Sequence, residues 1–204
     1  MPYPLPFTAR LLQIGDALHF RLRRLWSMLV LRLVFGRLGK GTVLFRQNMI
    51  RYPHLIRIGS RTIVRHGGRM EIILHGQDWE PELTIGNDVN IEQNVHIVCH
   101  DRISIGDNVS ITGNCAIVDV LHPVDAIEHG SKIGDSIDPA RSFVEIGAGS
   151  FLGYGTIVLP NVRIGRNCVI GAGSVVTRDI PDDSIASGAP AKVIRSRTIS
   201  KIRN

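Results

Sequence analysis

The stretch IGAGSFLGYGTIVLPNVRIGRNCVIGAGSVV, residues 146–176, carries an aliphatic residue at every sixth position. The series is Ile146, Leu152, Val158, Ile164, Ile170 and Val176, and glycine directly follows four of the six members. This period fits neither the turn of an α-helix nor the alternation of a simple strand. It is typical of a β-helix, in which each repeat forms one flat side and three repeats close a coil that stacks on the next.

The same spacing recurs upstream of this stretch. Ile85, Ile91, Ile97 and Ile103 are six residues apart, the series restarts as Ile105, Ile111 and Ile117, and a fainter trace is present at Ile58 and Val64. The residue four positions after an aliphatic is usually small or of modest size, as the narrow interior of a β-helix requires. Cys115 and Cys168 occupy such positions. We therefore predict that both cysteines are structural.

Composition and charge limit the class of protein. The chain has 204 residues, 44% of them apolar but only 5% aromatic, which is enough for a folded core of small aliphatic side chains. The formal net charge is +6, and the first 50 residues hold eight Lys or Arg against a single acid, Asp16. An odd number of cysteines, three, in a chain of this size suits a reducing compartment, so we expect a cytoplasmic location.

The register over about residues 56–195 resembles that of the hexapeptide-repeat acyltransferases. The run IGAGSVVTRDIPDDSIASGAPAKVIR, residues 170–195, is similar to the ending of the branch that includes galactoside, maltose and nodulation-factor O-acetyltransferases. The resemblance implies an all-β fold, a left-handed parallel β-helix with an N-terminal helical segment and a projecting loop. It also implies acetyl-CoA as co-substrate, no metal, and a homotrimer with active sites at the subunit junctions.

We divide the chain into residues 1–52, an N-terminal helical and basic segment, residues 53–195, the β-helix, and residues 196–204, a C-terminal tail. Residues 8–38 are apolar on one face and basic on the other, which predicts a helix. Arginines interrupt this segment too often for it to span a bilayer. It could lie on an anionic membrane surface with Trp26 as an anchor, or cap the open end of the coil, and the two are compatible. Nucleic acid is disfavoured, because aliphatic residues separate the cations.

A loop insertion, residues 120–143, interrupts the register. Long irregular insertions in compact domains are usually functional. In the resembling branch, a His-Pro pair at the start of such a loop carries the catalytic base, and here the pair is His122-Pro123. An imidazole suits this role, because it can accept the proton of a sugar hydroxyl near neutral pH. His129 is the rival within the same loop.

The resemblance assigns further residues. The backbone N–H of Gly153 or Tyr154 would stabilise the oxyanion, although the relatives carry a small polar residue where this chain has Tyr154. Small residues and cations would bind acetyl-CoA: Phe151, Gly153, Gly171, Ala172, Gly173, Thr177, Arg178, Lys192 and Arg195. The acceptor groove would be lined by Asn90, Asn94, His96 and His100. The consecutive Cys99, His100 and Asp101 cannot form a triad, since neighbours on an extended chain point to opposite faces, and we expect them at the surface or in the groove.

These features favour an O-acetyltransferase that transfers acetyl from acetyl-CoA to a hydroxyl of a sugar or surface-glycan precursor, as in polysaccharide biosynthesis. A non-enzymatic β-helix scaffold is the first alternative, but it would need neither the His-Pro loop nor the cofactor ending. A γ-type carbonic anhydrase would use His96, His100 and His122 around a metal, but the spacing does not match that family. A donor carried on acyl carrier protein is disfavoured, because that branch has a longer helical C-terminal domain.

Overall fold

A computed structural model describes residues 7–123 and 132–197, with side chains from residue 14 onward. One helix, α1 (Phe7–Leu29), precedes a parallel β-helix. The strands of the first three coils are β1 (Arg37–Leu38), β2 (Val43–Leu44), β3 (Met49–Arg51), β4 (Ile56–Ile58), β5 (Ile63–Val64), β6 (Arg69–Ile72), β7 (Glu82–Ile85), β8 (Asn90–Ile91) and β9 (His96–Cys99). The next three coils contain β10 (Arg102–Ile105), β11 (Ser110–Ile111), β12 (Ala116–Val118), β13 (Phe143–Ile146), β14 (Phe151–Leu152), β15 (Ile157–Val158), β16 (Val162–Ile164), β17 (Val169–Ile170) and β18 (Val175–Val176).

The strands form three parallel sheets, which are the faces of a prism. Face 1 has the order β1-β4-β7-β10-β13-β16, and face 3 has the order β3-β6-β9-β12-β15-β18. Face 2 runs β2-β5-β8-β11-β14-β17 and continues into β19 (Ser184–Gly188) and β20 (Ala191–Ser196). Strand β20 pairs antiparallel with β19 and ends the sheet. Each coil therefore passes from face 1 to face 2 to face 3, and the three corners are named by the faces that they join.

The six-residue register corresponds to ladders of stacked side chains inside the prism. On face 2, Ile111 pairs with Ile91 of the preceding coil and with Leu152 of the following one. All three are at most 1% exposed, and the equivalent aliphatic positions of the other faces are buried as well. The predicted β-helix is thus confirmed, and its core is one continuous aliphatic column.

The residues of modest size between the aliphatic positions are also buried. Ser150 satisfies its hydroxyl inside the coil, donating to the Gly165 carbonyl at 2.9 Å and accepting the Cys168 N–H at 3.0 Å. The Cys168 and Cys115 thiols are buried and contact carbonyl oxygens of Pro181 and Gly153. Burial raises the pKa of both thiols, which disfavours the nucleophilic thiolate. These environments agree with a structural role.

Glycines that follow the aliphatic residues of face 1 are explained by the corner between faces 1 and 2. A Cβ at Gly147 would overlap the backbone of Gly165 in the next coil. The same holds for Gly59, whose added Cβ would overlap Gly86. The coils approach one another so closely at this corner that only hydrogen fits there.

Helix α1 is shorter than the predicted helix over residues 8–38. It ends at Leu29, and the chain then turns so that Phe35 enters the core and Gly36 lies against the backbone of His54, where a Cβ would not fit. One side of the helix packs on the first coil: the buried Ser27 hydroxyl accepts the Leu44 N–H at 3.0 Å. The helix therefore covers part of the first coil, as the capping hypothesis expects.

The β-helix starts one coil before residue 53, the predicted boundary. Strands β1, β2 and β3 pair with β4, β5 and β6 and continue all three faces. The signal was present in the sequence, since Leu38, Leu44 and Ile50 are six residues apart. At the other end, residues 198–204 of the predicted tail lie outside the described residues.

The stacked column predicts a large and local cost for truncation. Ile111→Ala should lower the free energy of unfolding by roughly 2–5 kcal/mol, because it leaves a cavity between two coils. Val193→Ala, at a side chain that is 46% exposed on β20, is the control and should cost less than about 1 kcal/mol. Urea unfolding of the two variants measures the difference, and equal costs would contradict a continuous column.

Candidate functional site

The coil is interrupted at the corner between faces 3 and 1, where β12 ends and the loop begins. At this point the Asp119 carboxylate is buried and accepts three backbone N–H groups, from His100 at 2.5 Å, Asp101 at 2.9 Å and Arg102 at 2.8 Å. Burial raises the pKa of Asp119, and the three N–H donors oppose that rise. Asp119 thus replaces the hydrogen bonds that a following strand would have made.

A second carboxylate holds the returning end of the loop. Asp101 accepts two hydrogen bonds from the Arg141 guanidinium, at 2.9 and 2.8 Å, and a third from the Ser142 N–H at 3.0 Å. The same guanidinium lies 5.0 Å from the ring centre of Trp79, which meets His100 edge-on at 5.5 Å. The two ends of the loop are therefore tied to coil 3 and to each other.

These contacts overturn two expectations about Cys99, His100 and Asp101. All three are buried, and they anchor the loop instead of lining a surface groove. His100 is 1% exposed behind Trp79, so the prediction that it contacts the acceptor is wrong. No period or motif in the sequence indicates these contacts, because Trp79, Asp119 and Arg141 are distant in the chain and meet the three residues only where the loop interrupts the coil.

His122 is exposed three residues into the loop. Its Nδ1 lies 2.7 Å from the carbonyl oxygen of Ser136, on the returning side of the loop. A carbonyl can only accept, so this hydrogen bond requires a proton on Nδ1 and leaves the Nε2 lone pair of the neutral ring free. Nε2 can then accept a proton from a bound molecule. The rival His129 lies in residues 124–131, outside the described residues.

The predicted oxyanion donors lie at the corner between faces 2 and 3 in coil 5. The Gly153 N–H donates to the Ile170 carbonyl at 2.8 Å, so it is committed to the coil. Among the described residues no backbone acceptor is found for the Tyr154 N–H. Of the two candidates, only Tyr154 thus has an N–H available for a ligand. Its side chain lies over Gly113 and hydrogen-bonds Asn114 of the preceding coil.

Most of the predicted acetyl-CoA residues lie on face 2 or at this same corner. Phe151 is 40% exposed on face 2, and Gly171 and Ala172 follow in the next coil. A Cβ at Gly171 would press against Ser187, which pairs with Lys192 on β20. A Cβ at Gly173 would meet nothing within 4 Å, so the corner opens onto free space. This strip of small residues, with a cation beside it, fits an extended pantetheine arm.

Three other predicted cofactor residues stand in different positions. Thr177 and Arg178 are exposed just after β18, at the corner between faces 3 and 1. Within one chain, face 3 separates them from the strip at Gly171–Gly173. Arg195 is exposed on β20 beside Ile185, farther from the corner than Lys192. A single chain therefore brings together only part of the predicted set.

The remaining acceptor candidates lie on the outside of coil 3. Asn90 is exposed on face 2, and Asn94 occupies the corner between faces 2 and 3, with a φ of 59°. His96 is half-buried on face 3 between Arg69 and Ala116. Burial, reinforced by the charge of Arg69, lowers the pKa of His96 and favours its neutral form. Whether these residues bind an acceptor stays a prediction.

The described residues contain no group of three His, Cys, Asp or Glu side chains placed to hold a metal ion. His96, His100 and His122 differ in setting, being respectively half-buried on face 3, buried behind Trp79 and exposed on the loop. The geometry thus gives no support to the metal alternative.

Comparison with known proteins agrees with this fold. The family model of the bacterial transferase hexapeptide (six repeats) matches residues 143–178. The galactoside O-acetyltransferase of Lactococcus lactis is 39% identical over 112 residues, which cover 54% of this chain and 51% of that protein. The solved maltose O-acetyltransferase of Clostridium difficile 630 is 31% identical, with a TM-score of 0.53 over 83% of this chain and 73% of that one.

The chain belongs to the hexapeptide-repeat acetyltransferase family, and its β-helix is left-handed, as predicted. An N-acyltransferase from Bacillus cereus, solved with dTDP and 3-hydroxybutyryl-CoA, shares the fold with a TM-score of 0.68 at 18% identity over 83% of this chain and 87% of that one. The chain spans about half the length of the curated relatives it matches.

The anchoring of the loop can be tested at Asp119. Asp119→Ala should lower the free energy of unfolding by roughly 2–4 kcal/mol, because it leaves three backbone donors without an acceptor. Asp107→Ala is the matched control, since that exposed carboxylate also accepts a backbone N–H, from Asn87 at 2.7 Å. It should cost less than about 1 kcal/mol in the same urea titration. Limited proteolysis should cut the loop faster in Asp119→Ala than in Asp107→Ala, and equal rates would contradict the anchoring role.

Proposed function

We propose that this protein is an O-acetyltransferase that uses acetyl-CoA and His122 as general base. The observation that carries the proposal is the hydrogen bond between His122 Nδ1 and the Ser136 carbonyl. It fixes the tautomer in which Nε2 is an acceptor, on a loop that interrupts an otherwise continuous coil. A scaffold would have no need for a tautomerically fixed, exposed imidazole at that position.

The co-substrate is supported by the shape and chemistry of the corner between faces 2 and 3. Gly173 leaves open space at this corner for a narrow chain, whereas Gly153 and Gly171 let the adjacent strands approach closely. Lys192 stands next to the corner as a cation for a phosphate. Acetyl-CoA, when bound, supplies an acyl group activated as a thioester. The galactoside and maltose O-acetyltransferases that the chain is similar to are named for this kind of transfer.

The chemical roles of the protein groups follow from these positions. His122 Nε2 would accept the proton of the acceptor hydroxyl as its oxygen attacks the acyl carbon, a contribution of about 10²–10⁴ in rate. The C–S bond of the thioester would then break, and CoA would leave as a thiol that takes this proton from the imidazolium. The Tyr154 N–H would donate to the oxygen on which negative charge develops. The reaction then needs no covalent bond to the protein, which agrees with buried cysteines whose pKa values are raised.

The position of these groups supports a site shared between subunits. The loop leaves the coil at the corner between faces 3 and 1, whereas Tyr154 is at the corner between faces 2 and 3. The two corners are separated by the width of face 3, roughly 20 Å at about 3.3 Å per residue. A neighbouring copy could bring its own loop to the Tyr154 corner. We therefore propose a homotrimer with one site at each junction.

The acceptor is proposed at the level of a chemical class. Asn90, Asn94 and His96 offer neutral amides and an imidazole on the outer surface of coil 3, which suit the hydroxyl groups of a sugar. A sugar or surface-glycan precursor fits this chemistry, and synthesis of such a precursor from acetyl-CoA would take place in the cytoplasm.

Replacing the base tests the mechanism. His122→Ala should reduce turnover by at least about 100-fold while the affinity for acetyl-CoA stays nearly the same, because the imidazole acts only as the proton moves. His75→Ala, at another exposed histidine, is the control and should keep the activity of the unmodified chain. The assay measures release of free thiol from acetyl-CoA with a panel of sugars and nucleotide-sugars. Full turnover in His122→Ala would disprove the assignment.

The shared site predicts complementation between inactive variants. His122→Ala mixed with Lys192→Glu should regain part of the activity after subunit exchange, because hybrid trimers contain junctions in which an intact loop meets an intact Lys192. Each variant mixed only with itself is the control. Analytical ultracentrifugation should show a species of three 22.5 kDa chains. A fully active monomer, or hybrids without any activity, would rule out the shared site.

A further inference from the structure

Helix α1 presents an apolar stripe that no other described part of the chain covers. Its residues are spaced three or four apart, so they lie on one side of the helix. The stripe consists of Ile14, Leu18, Leu22, Leu25 and Leu29 of the helix and Leu33 just beyond its end, which are 47–85% exposed. Trp26 borders it at 49% exposure. The opposite side of the helix holds Ser27 and Phe20 against the first coil. The stripe therefore faces away from the core.

The stripe is continuous over a large area. The side chains of Leu22, Leu25, Trp26 and Leu29 line a shallow apolar groove of about 470 Å³. Leu33, beyond the helix end, is the most exposed large apolar residue of the described chain, at 85%. An exposed patch of this kind is unusual on a soluble monomer and marks an interaction surface.

Cations border the stripe on both sides. At 100° per residue, Arg21 lies next to one edge of the stripe and Arg23 next to the other. Arg32, Arg37 and Lys40 continue the positive surface around a neighbouring cavity of about 570 Å³. None of these five residues makes an ion pair with another described residue, whereas Arg61 and Arg166 on the coil are paired with Asp88 and Asp182.

From this stripe and its cations we propose that α1 docks on the anionic surface of a lipid bilayer. The leucines would enter the boundary between headgroups and acyl chains, with the Trp26 indole at the level of the headgroups. The arginines beside the stripe would then face lipid phosphates. Within the described residues no helix is long and apolar enough to cross a membrane. This inference does not depend on the acetyl transfer proposed above.

The charge distribution disfavours a second copy of the chain as the occupant. Two stripes packed against each other would bring Arg21 and Arg23 of one copy against the same residues of the other, and like charges at short range repel. A nucleic acid would neutralise the arginines but would leave the leucines in water. An anionic bilayer offers lipid phosphates for the arginines and, directly below them, an apolar layer for the leucines.

The experiment is sedimentation of the full chain with vesicles. The chain should bind vesicles of phosphatidylglycerol and phosphatidylcholine in equal parts, bind pure phosphatidylcholine far less, and dissociate at high salt. Leu25→Ser/Leu29→Ser should reduce the partition coefficient at least about tenfold, because it removes the buried apolar area. Leu74→Ser/Ile194→Ser, at side chains of similar exposure away from the helix, is the matched control and should bind like the unmodified chain.

A second pair of variants tests the charged part of the surface. Arg32→Gln/Arg37→Gln should weaken binding to the anionic vesicles by roughly 20-fold, since each cation near such a surface contributes to the attraction. Arg163→Gln/Arg166→Gln removes the same charge from the far end of the coil, where both arginines are ion-paired, and should have little effect. Circular dichroism establishes that every variant is folded.

Several outcomes would overturn the proposal. The proposal is wrong if the unmodified chain remains in the supernatant with anionic vesicles. It is also wrong if Leu25→Ser/Leu29→Ser binds these vesicles as well as its control. A change in oligomeric state of Leu25→Ser/Leu29→Ser without lipid, with vesicle binding unaltered, would assign the stripe to contacts between copies. Loss of acetyl transfer in the earlier assays would leave these vesicle results unaffected, so the two proposals fail separately.

Discussion

The structure depends on the contact between aliphatic side chains of successive coils. Each one must lie directly above and below its equivalents, because the interior is one side chain wide and cannot be filled from elsewhere. This constraint fixes the six-residue period, the limited size of the interior residues between the aliphatics, and the absence of a side chain at glycines such as Gly147. Parallel backbone hydrogen bonds follow from the same stacking, since it sets the register of all three faces.

An interruption of such a coil is costly unless the exposed ends are held. Asp119 and Asp101 meet this requirement with carboxylate oxygens that accept six hydrogen bonds from backbone N–H groups and one guanidinium. Charged acceptors are suited to this, because a buried carboxylate is tolerated only when several donors surround it. The rigid base that results allows a loop to present His122 in a defined orientation while remaining outside the core.

The sequence predicted most of the periodic part of the structure and missed the contacts that have no period. The coil, its buried cysteines and the position of the loop all follow from one repeated spacing. The first coil was missed although Leu38, Leu44 and Ile50 keep that spacing, because the basic and helical composition of the N-terminal segment masked it. The contact of Trp79 with His100 and Arg141 could not be inferred, since it joins residues far apart in the chain that have no common pattern. The hydrogen bond that occupies the Gly153 N–H could not be inferred either, because it depends on which carbonyl oxygen of the adjacent coil lies opposite this group.

The stacking of coils also sets the distance between helix α1 and the loop along the axis of the prism. Helix α1 contacts the first coil, and the loop with His122 leaves the fourth, three strand spacings farther along face 3. At about 4.8 Å per spacing, the loop leaves the prism roughly 15 Å beyond the coil on which the helix rests. Insertion or loss of one whole coil would change this height by a fixed step and leave the cross-section as it is. The number of coils between helix and loop therefore determines how far from a docked surface the imidazole can reach.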